Sequence, residues 1–297
     1  FMMPTFLIIT GYLVNIEKTG RQMGNYLKCL ALPYVIMVTG FSVLSYYMPV
    51  RDGITELSLS QIGEKIFVTS IGPYWFIQTM IICGTLYYFC FSGRNWNDLR
   101  RNYTKRDTYA SLFVFAVTLL LISETPALSA SAAAYYFIGV VIRQSKTEWN
   151  KLFRHEFFAI ILWIYLLNHD DWYDWGSLAI VFSCWCCIST LLLLQHLLDA
   201  PERFKDISPK IGKVAKVTNR IKDTLLYIGR NTLPIYLFHP IFTMAAKFYH
   251  PLFSWDPSEI CFALFTVILA ILGSIAIARI MEKTKLAYLF GKGKILR

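Results

Sequence analysis

Long apolar runs alternate with short polar segments along the whole chain. At a rise of about 1.5 Å per residue, a helix needs roughly 20 apolar residues to cross the hydrocarbon core of a bilayer. Nine runs are long enough to cross it or nearly so, and they cover residues 2–15, 24–48, 66–92, 109–122, 127–143, 155–168, 175–198, 225–247 and 258–281. The pattern therefore predicts an all-α integral membrane protein, a bundle of about nine transmembrane helices that forms a single domain over residues 1–297.

The composition agrees with this class of protein. Hydrophobic residues make up 56% of the chain and charged residues only 16%, whereas a soluble domain carries about a quarter charged residues. The short polar–apolar alternation of a transmembrane β-barrel is absent from the sequence. The net charge of +10 comes from Lys and Arg residues beside the apolar runs, where they contact lipid headgroups, so no nucleic-acid partner is expected. The seven cysteines lack the spacing of a metal site, and we predict none.

The charges of the connecting segments predict the orientation of the helices. Segments 16–28, 93–108, 143–154, 199–224 and the C-terminal tail are basic, whereas the segments between them are acidic or nearly neutral. Cytoplasmic loops are enriched in Lys and Arg, so we expect a cytoplasmic C-terminus in a cell inner (plasma) membrane. Nine spans then place Phe1 on the outer side, which predicts that the chain is N-terminally incomplete and that a further helix precedes Phe1. A miscounted span is the alternative.

The clearest candidate for chemistry is the segment IGRNTLPIYLFHPIF, residues 228–242. An ionisable side chain inside a membrane span is costly and is a functional candidate by default. His239 lies in the outer half of its span, and Tyr236 is three residues earlier on the same helix face. Asn231 lies near the cytoplasmic end of the span, and Pro234 loosens the helix between them. The alternative is a histidine that only packs against a neighbouring helix.

A second candidate is GPYWFIQTM, residues 72–80, where a span begins from the outer side. Trp75 and Gln78 share a helix face, and Gln78 lies a turn deeper, where its amide needs a hydrogen-bonding partner. Trp75 is alternatively an anchor at the membrane interface. By the predicted topology, this segment, the opening FMMPT and the YLFHP segment lie at similar depth, so we expect them to line one cavity.

Taken in order, the motifs point to a known family. The chain contains FMMPTFLIITGYL, LKCLALPYVI, GPYWFI, AAYYFIGVVIR, IGRNTLPIYLFHPIF and LFGKGK. This series resembles the acyltransferase 3 family of membrane acyltransferases, particularly its fucose 4-O-acetylase-like branch, over essentially the whole chain. The most specific part is NTLPIYLFHP. The chain departs from the family where Met2 or Met3 stands in place of a frequent His, and where Thr10 and Gly11 stand in place of Ser-Gly.

The resemblance implies an activity and a set of roles. Such enzymes have ten helices and carry an acyl group from cytoplasmic acyl-CoA to a hydroxyl of a glycan or lipid-linked sugar. The main catalytic histidine is then expected upstream of Phe1, and His239 assists. The substrate-binding residues implied are Trp75, Gln78, Tyr236 and Asn231. The implied residues for the donor, acetyl-CoA or another acyl-CoA, are Arg230, Arg21, Lys28 and Arg143, for each of which lipid-headgroup contact is the alternative. A transporter or polysaccharide-export component without transferase chemistry is the rival function.

Overall fold

The computed structural model describes residues 2–47, 52–92, 105–153, 155–168, 174–203, 209–291 and 293–296. These residues form twelve α-helices: α1 (Met2–Leu13), α2 (Gly20–Tyr47), α3 (Leu59–Phe67), α4 (Trp75–Ser92), α5 (Lys105–Ser123), α6 (Ala130–Gln144), α7 (Trp149–Leu152), α8 (Glu156–Leu167), α9 (Leu178–Arg203), α10 (Pro209–Arg230), α11 (Thr232–Tyr249) and α12 (Ile260–Lys283). Short 3₁₀ turns cover Gly72–Tyr74, His250–Phe253 and Leu286–Phe290. The all-α class is confirmed.

Seven of the nine predicted apolar runs each correspond to one helix, namely α1, α2, α5, α6, α8, α9 and α12, and the runs 66–92 and 225–247 consist mainly of α4 and α11. Five of them, α2, α4, α5, α9 and α12, are long and apolar enough to cross a membrane, and α1 and α8 are shorter apolar helices. The number of nine crossings stays a prediction. Phe1, the basic stretch 93–104 and the acidic stretch 169–173 lie outside the described residues, so the loop-charge argument at those positions also stays a prediction.

Two helix starts follow from capping residues. Thr19 and Gln22 cap the beginning of α2 reciprocally, because the Thr19 N–H donates to Gln22 Oε1 and the Gln22 N–H donates to Thr19 Oγ1. This capping box begins the helix four residues before the apolar run. Ser58 accepts from the Gln61 N–H in the same way at the start of α3, a short helix that the apolar pattern did not predict separately.

The tightest packing in the bundle joins α1 to α6 through glycines. A Cβ atom at Gly139 would lie 2.0 Å from the Ile8 carbonyl oxygen, and one at Gly11 would lie 2.3 Å from the Tyr136 carbonyl oxygen. Only a hydrogen atom fits in either place, so the two backbones touch directly. The side chains around this contact, including Leu7 and Val140, are fully buried in the main core.

The predicted run 225–247 is divided in the structure. Its first turn belongs to α10, and α11 begins after Asn231. Pro234 has no N–H to donate to the carbonyl of Arg230, which explains why the helix is interrupted at this point. The basic segment before the run is largely helical, because α10 extends back to Pro209.

Candidate functional site

Two tyrosine hydroxyl groups form hydrogen bonds between α11 and the turn that begins α4. Tyr74 is fully buried, and its hydroxyl donates to the Leu237 carbonyl oxygen at 2.8 Å. In the reverse direction, the Tyr236 hydroxyl donates to the Pro73 carbonyl oxygen. A buried hydroxyl that lacked such a partner would cost free energy, so both bonds favour one relative placement of the two helices. Gly72, at φ +54°, provides the turn that brings Pro73 to this point.

His239 is oriented by the residue that follows it. In an α-helix the Tyr236 carbonyl would accept from the N–H of position 240, but Pro240 has no N–H. The Nδ1 atom of His239 lies 2.8 Å from this carbonyl oxygen. A carbonyl oxygen can only accept, so Nδ1 is the donor and carries the hydrogen. In the neutral ring the lone pair is therefore on Nε2.

Aromatic rings bring the three predicted segments together. Phe6 of α1 meets Phe76 of α4 edge to face, with ring centroids 6.4 Å apart. Phe76 in turn packs against Tyr236 of α11 at 5.4 Å, and the Tyr236 ring lies 5.5 Å from that of His239. Phe6 directly follows the FMMPT segment, so ring contacts connect α1 with the other two outer-half segments. That the three segments line one cavity stays a prediction.

Trp175 also packs in this region, although the sequence did not predict it to be there. Its ring meets Trp75 edge to face at 5.8 Å and Tyr135 at 5.6 Å, and 46% of its surface is exposed. The Tyr135 hydroxyl accepts from the Gly176 N–H at 2.9 Å, which fixes the loop beside Trp175. The available signal was the aromatic, acidic stretch DWYDWG, residues 171–176. Trp75 and Trp175 together make an aromatic wall beside the Phe76 and Tyr236 rings.

Gln78 and Asn231 are held by main-chain carbonyls. The Gln78 amide nitrogen donates to the carbonyl oxygens of Phe67 and Val68 at 3.3 and 3.2 Å, which meets the need for a partner predicted from its depth. Asn231 is fully buried, and its Nδ2 donates to the Tyr227 carbonyl oxygen at 2.8 Å. Both amides therefore stabilise chain turns, and substrate binding by either one stays a prediction.

The four predicted donor residues are exposed and lie on separate elements. Arg21 and Lys28 are on the first turns of α2, Arg143 is in the last turn of α6, and Arg230 ends α10. The Arg143 guanidinium lies 5.6 Å from the centre of the Tyr12 ring, at the end of α1. Within the described part of the chain, these four side chains do not contact one another.

Metal ligands are not clustered in the part of the chain that the structure describes: no group of three His, Cys, Asp or Glu side chains there could hold a metal ion. The model of the acyltransferase 3 family, described as an acyltransferase domain, matches residues 1–279, which is nearly the whole chain. No curated protein and no solved structure matches the sequence.

Proposed function

We propose that this chain, which belongs to the acyltransferase 3 family and is therefore an acyltransferase, transfers an acyl group from acyl-CoA to a hydroxyl of a sugar. The acyl group is most simply acetyl. The acceptor we propose is a surface glycan or a lipid-linked saccharide. The observation that carries the proposal is the orientation of His239, whose Nδ1 is held by a carbonyl while Nε2 keeps its lone pair.

His239 suits a hydroxyl acceptor. In the proposed step, Nε2 accepts the hydrogen of a sugar hydroxyl while the hydroxyl oxygen attacks the thioester carbonyl carbon. The carbon–sulfur bond breaks, CoA leaves as the thiolate and takes up the proton, and an ester remains on the sugar. The bond from Nδ1 to the Tyr236 carbonyl oxygen stabilises the positive charge that the ring gains during the transfer. In this proposal His239 is the general base itself, whereas the family resemblance implies only an assisting part for it.

The acceptor and donor sides both border the short helix α1. Phe6 contacts the aromatic cluster near His239, and Tyr12, six residues later, contacts Arg143. Six residues of α-helix rise by about 9 Å, so the two contacts are close along the bundle. We propose that the CoA phosphates lie near Arg143, whose exposed guanidinium adjoins Tyr12 of α1. Arg21, Lys28 and Arg230 are exposed as well, and each stays a separate candidate for the donor.

The aromatic wall suits a sugar ring. Trp75 and Trp175 present large rings beside the cluster, and Trp175 is partly exposed. Aromatic side chains of this kind offer apolar area with little loss of side-chain entropy on binding. We propose that the acceptor sugar lies against these two rings, with its reacting hydroxyl toward His239.

The test uses membranes that contain the full-length protein, radiolabelled acetyl-CoA and the glycan and lipid fractions of the same cells. We expect label in a sugar ester that depends on the protein and is lost with His239→Ala. His250→Ala is the matched control, because this histidine is exposed and lies outside the site, 3.6 Å from Glu259. Protein-dependent export of unlabelled polymer with no sugar ester would instead support the rival transport function.

The stability of each variant separates a chemical effect from a folding defect. Thermal unfolding of the purified His239→Ala protein should show that it is folded at the assay temperature. Full labelling by that folded variant would remove His239 from the mechanism.

A further inference from the structure

Helix α10 has an apolar stripe that no other part of the described chain covers. Val214, Val217, Ile221 and Leu225 recur at helical spacing along one face, and each is between 46% and 57% exposed. The rest of the helix is strongly polar. Four large apolar side chains in a row on one face are the pattern of a helix that lies against a lipid or protein surface.

Contacts with α9 fix the rotation of α10. Ala215 is buried, and Asn219 donates to Glu202 Oε2 at 2.9 Å. Lys222 pairs with Asp199 at 2.5 Å. These α10 residues lie about a third of a turn round the helix from the apolar stripe. The stripe therefore faces away from the contact with α9.

The same contacts indicate the depth of α10 in the membrane. The first 21 residues of α9, from position 178 to 198, contain no Asp, Glu, Lys or Arg, and about 20 such residues cross the hydrocarbon core. Asp199 and Glu202 follow this run directly, so they lie where α9 leaves the hydrocarbon. Their partners Lys222 and Asn219 lie at the same level, which is the level of the lipid headgroups.

Basic side chains flank the stripe at this level and just beyond it. Arg220 is exposed at this level, and Lys213, about 10 Å further from the hydrocarbon along α10, is exposed on the same side of the stripe, turned away from α9. Lys216 is exposed further round the helix, near the side that carries Asp223. Asp223 lies on the side of the helix opposite to the stripe. A positive flank beside an apolar stripe is complementary to an anionic lipid surface, where phosphates lie directly above acyl chains.

We propose that the α9–α10 hairpin is a binding site for anionic phospholipid headgroups. Lys213 and Arg220 contact the phosphates, and Ile221 and Leu225 lie among the upper segments of the acyl chains. This site is separate from the proposed transferase site, and no part of the inference depends on acyl transfer.

The test places the full-length protein in nanodiscs of phosphatidylcholine alone or with 30% phosphatidylglycerol. A bimane label is attached at Ile221→Cys, and at Asp223→Cys as the control at equal depth on the opposite face. The unsubstituted protein treated with the same reagent gives the background from native cysteines. We expect a lipid carrying nitroxide near its glycerol to quench position 221 at least about twofold more than position 223, and aqueous iodide to show the reverse preference.

The charge is tested with Lys213→Gln and Arg220→Gln combined. We expect this variant to lose the additional quenching at position 221 that phosphatidylglycerol produces, and to retain less phosphatidylglycerol through purification, as measured by mass spectrometry. Equal iodide quenching at the two positions would overturn the proposal, and so would unchanged phosphatidylglycerol retention. Protection of position 221 from both quenchers would also overturn it, in favour of a protein surface over the stripe.

Discussion

Replacing His239 by Asn tests the two ring nitrogens separately. The Asn side-chain N–H can occupy the position of Nδ1–H and donate to the Tyr236 carbonyl oxygen, but Asn has no atom at the position of Nε2. Ala lacks both groups. The geometry therefore predicts that His239→Asn removes the proposed proton acceptor and keeps the contact that orients it.

The expected magnitudes differ between activity and stability. Loss of a general base lowers the rate by about 10²-fold to 10⁴-fold, and we expect this loss in both variants. The hydrogen bond to the carbonyl contributes about 0.5–1.5 kcal/mol, and a buried carbonyl left without a partner costs about 1–3 kcal/mol. Because Pro240 supplies no N–H to replace the lost bond, His239→Ala should be the less stable variant, whereas His239→Asn should unfold close to the unsubstituted protein.

The assay is the initial rate of sugar-ester formation from labelled acetyl-CoA in membranes with equal amounts of protein. Thermal unfolding of the same proteins in detergent gives their relative stabilities. A His239→Asn rate within a few-fold of the unsubstituted enzyme would refute the role of Nε2. Equal stability of the Asn and Ala variants would refute the role of the carbonyl bond.

Three further outcomes follow from the structure. Gly139→Ala should destabilise the protein by about 1–3 kcal/mol or more in thermal unfolding, because its methyl group would meet the α1 backbone, while Gly40→Ala, in open space, should not; equal effects would contradict the close contact. Trp175→Ala should raise the KM for the acceptor and leave the KM for acetyl-CoA unchanged, and the opposite pattern would move the sugar away from the aromatic wall. The Ser258 hydroxyl and the backbone N–H of Cys261 donate to the Asp256 carboxylate and lower its pKa. The ionised carboxylate therefore stabilises the start of α12 at pH values above the usual Asp pKa. The lower Tm of Asp256→Asn at neutral pH should therefore converge with that of the unsubstituted protein as the pH falls through the lowered pKa, and a constant difference would contradict this account.

The helices were predictable where length and apolarity define them, and less so where local chemistry does. Every predicted apolar run is mainly helical, because a long apolar run can satisfy its backbone inside a membrane only as a helix. The run 66–92 nevertheless contains the end of α3, the Gly72–Tyr74 turn and all of α4. Apolar residues continue through this turn, so hydropathy alone could not reveal it. Most of α10 lies outside the predicted apolar runs, because its polar residues outweigh its apolar stripe.

The sequence predicted the location of the candidate site better than the hydrogen bonds of its side chains. The α1, α4 and α11 segments, predicted to lie at one depth, are joined by ring contacts in the structure. Tyr74 and Trp175 were not assigned to it, because an aromatic residue near a membrane interface is ordinarily an anchor, and only tertiary packing shows which one is buried. The sequence also could not predict which groups accept from the Gln78 amide, since its acceptors are carbonyls about ten residues away across a turn.

Tyr236 connects these observations, because three different parts of one residue act at the site. Its carbonyl oxygen orients His239, its ring packs against Phe76, and its hydroxyl holds Pro73 at the start of α4. A proline inside a helix destabilises it by roughly 3 kcal/mol. Because Pro240 has no N–H, the Tyr236 carbonyl oxygen can accept a hydrogen bond from the imidazole of His239 instead. The sequence suggested Tyr236 as a substrate-binding residue. The geometry favours a positioning residue, one that sets the histidine tautomer and joins two helices before any substrate arrives.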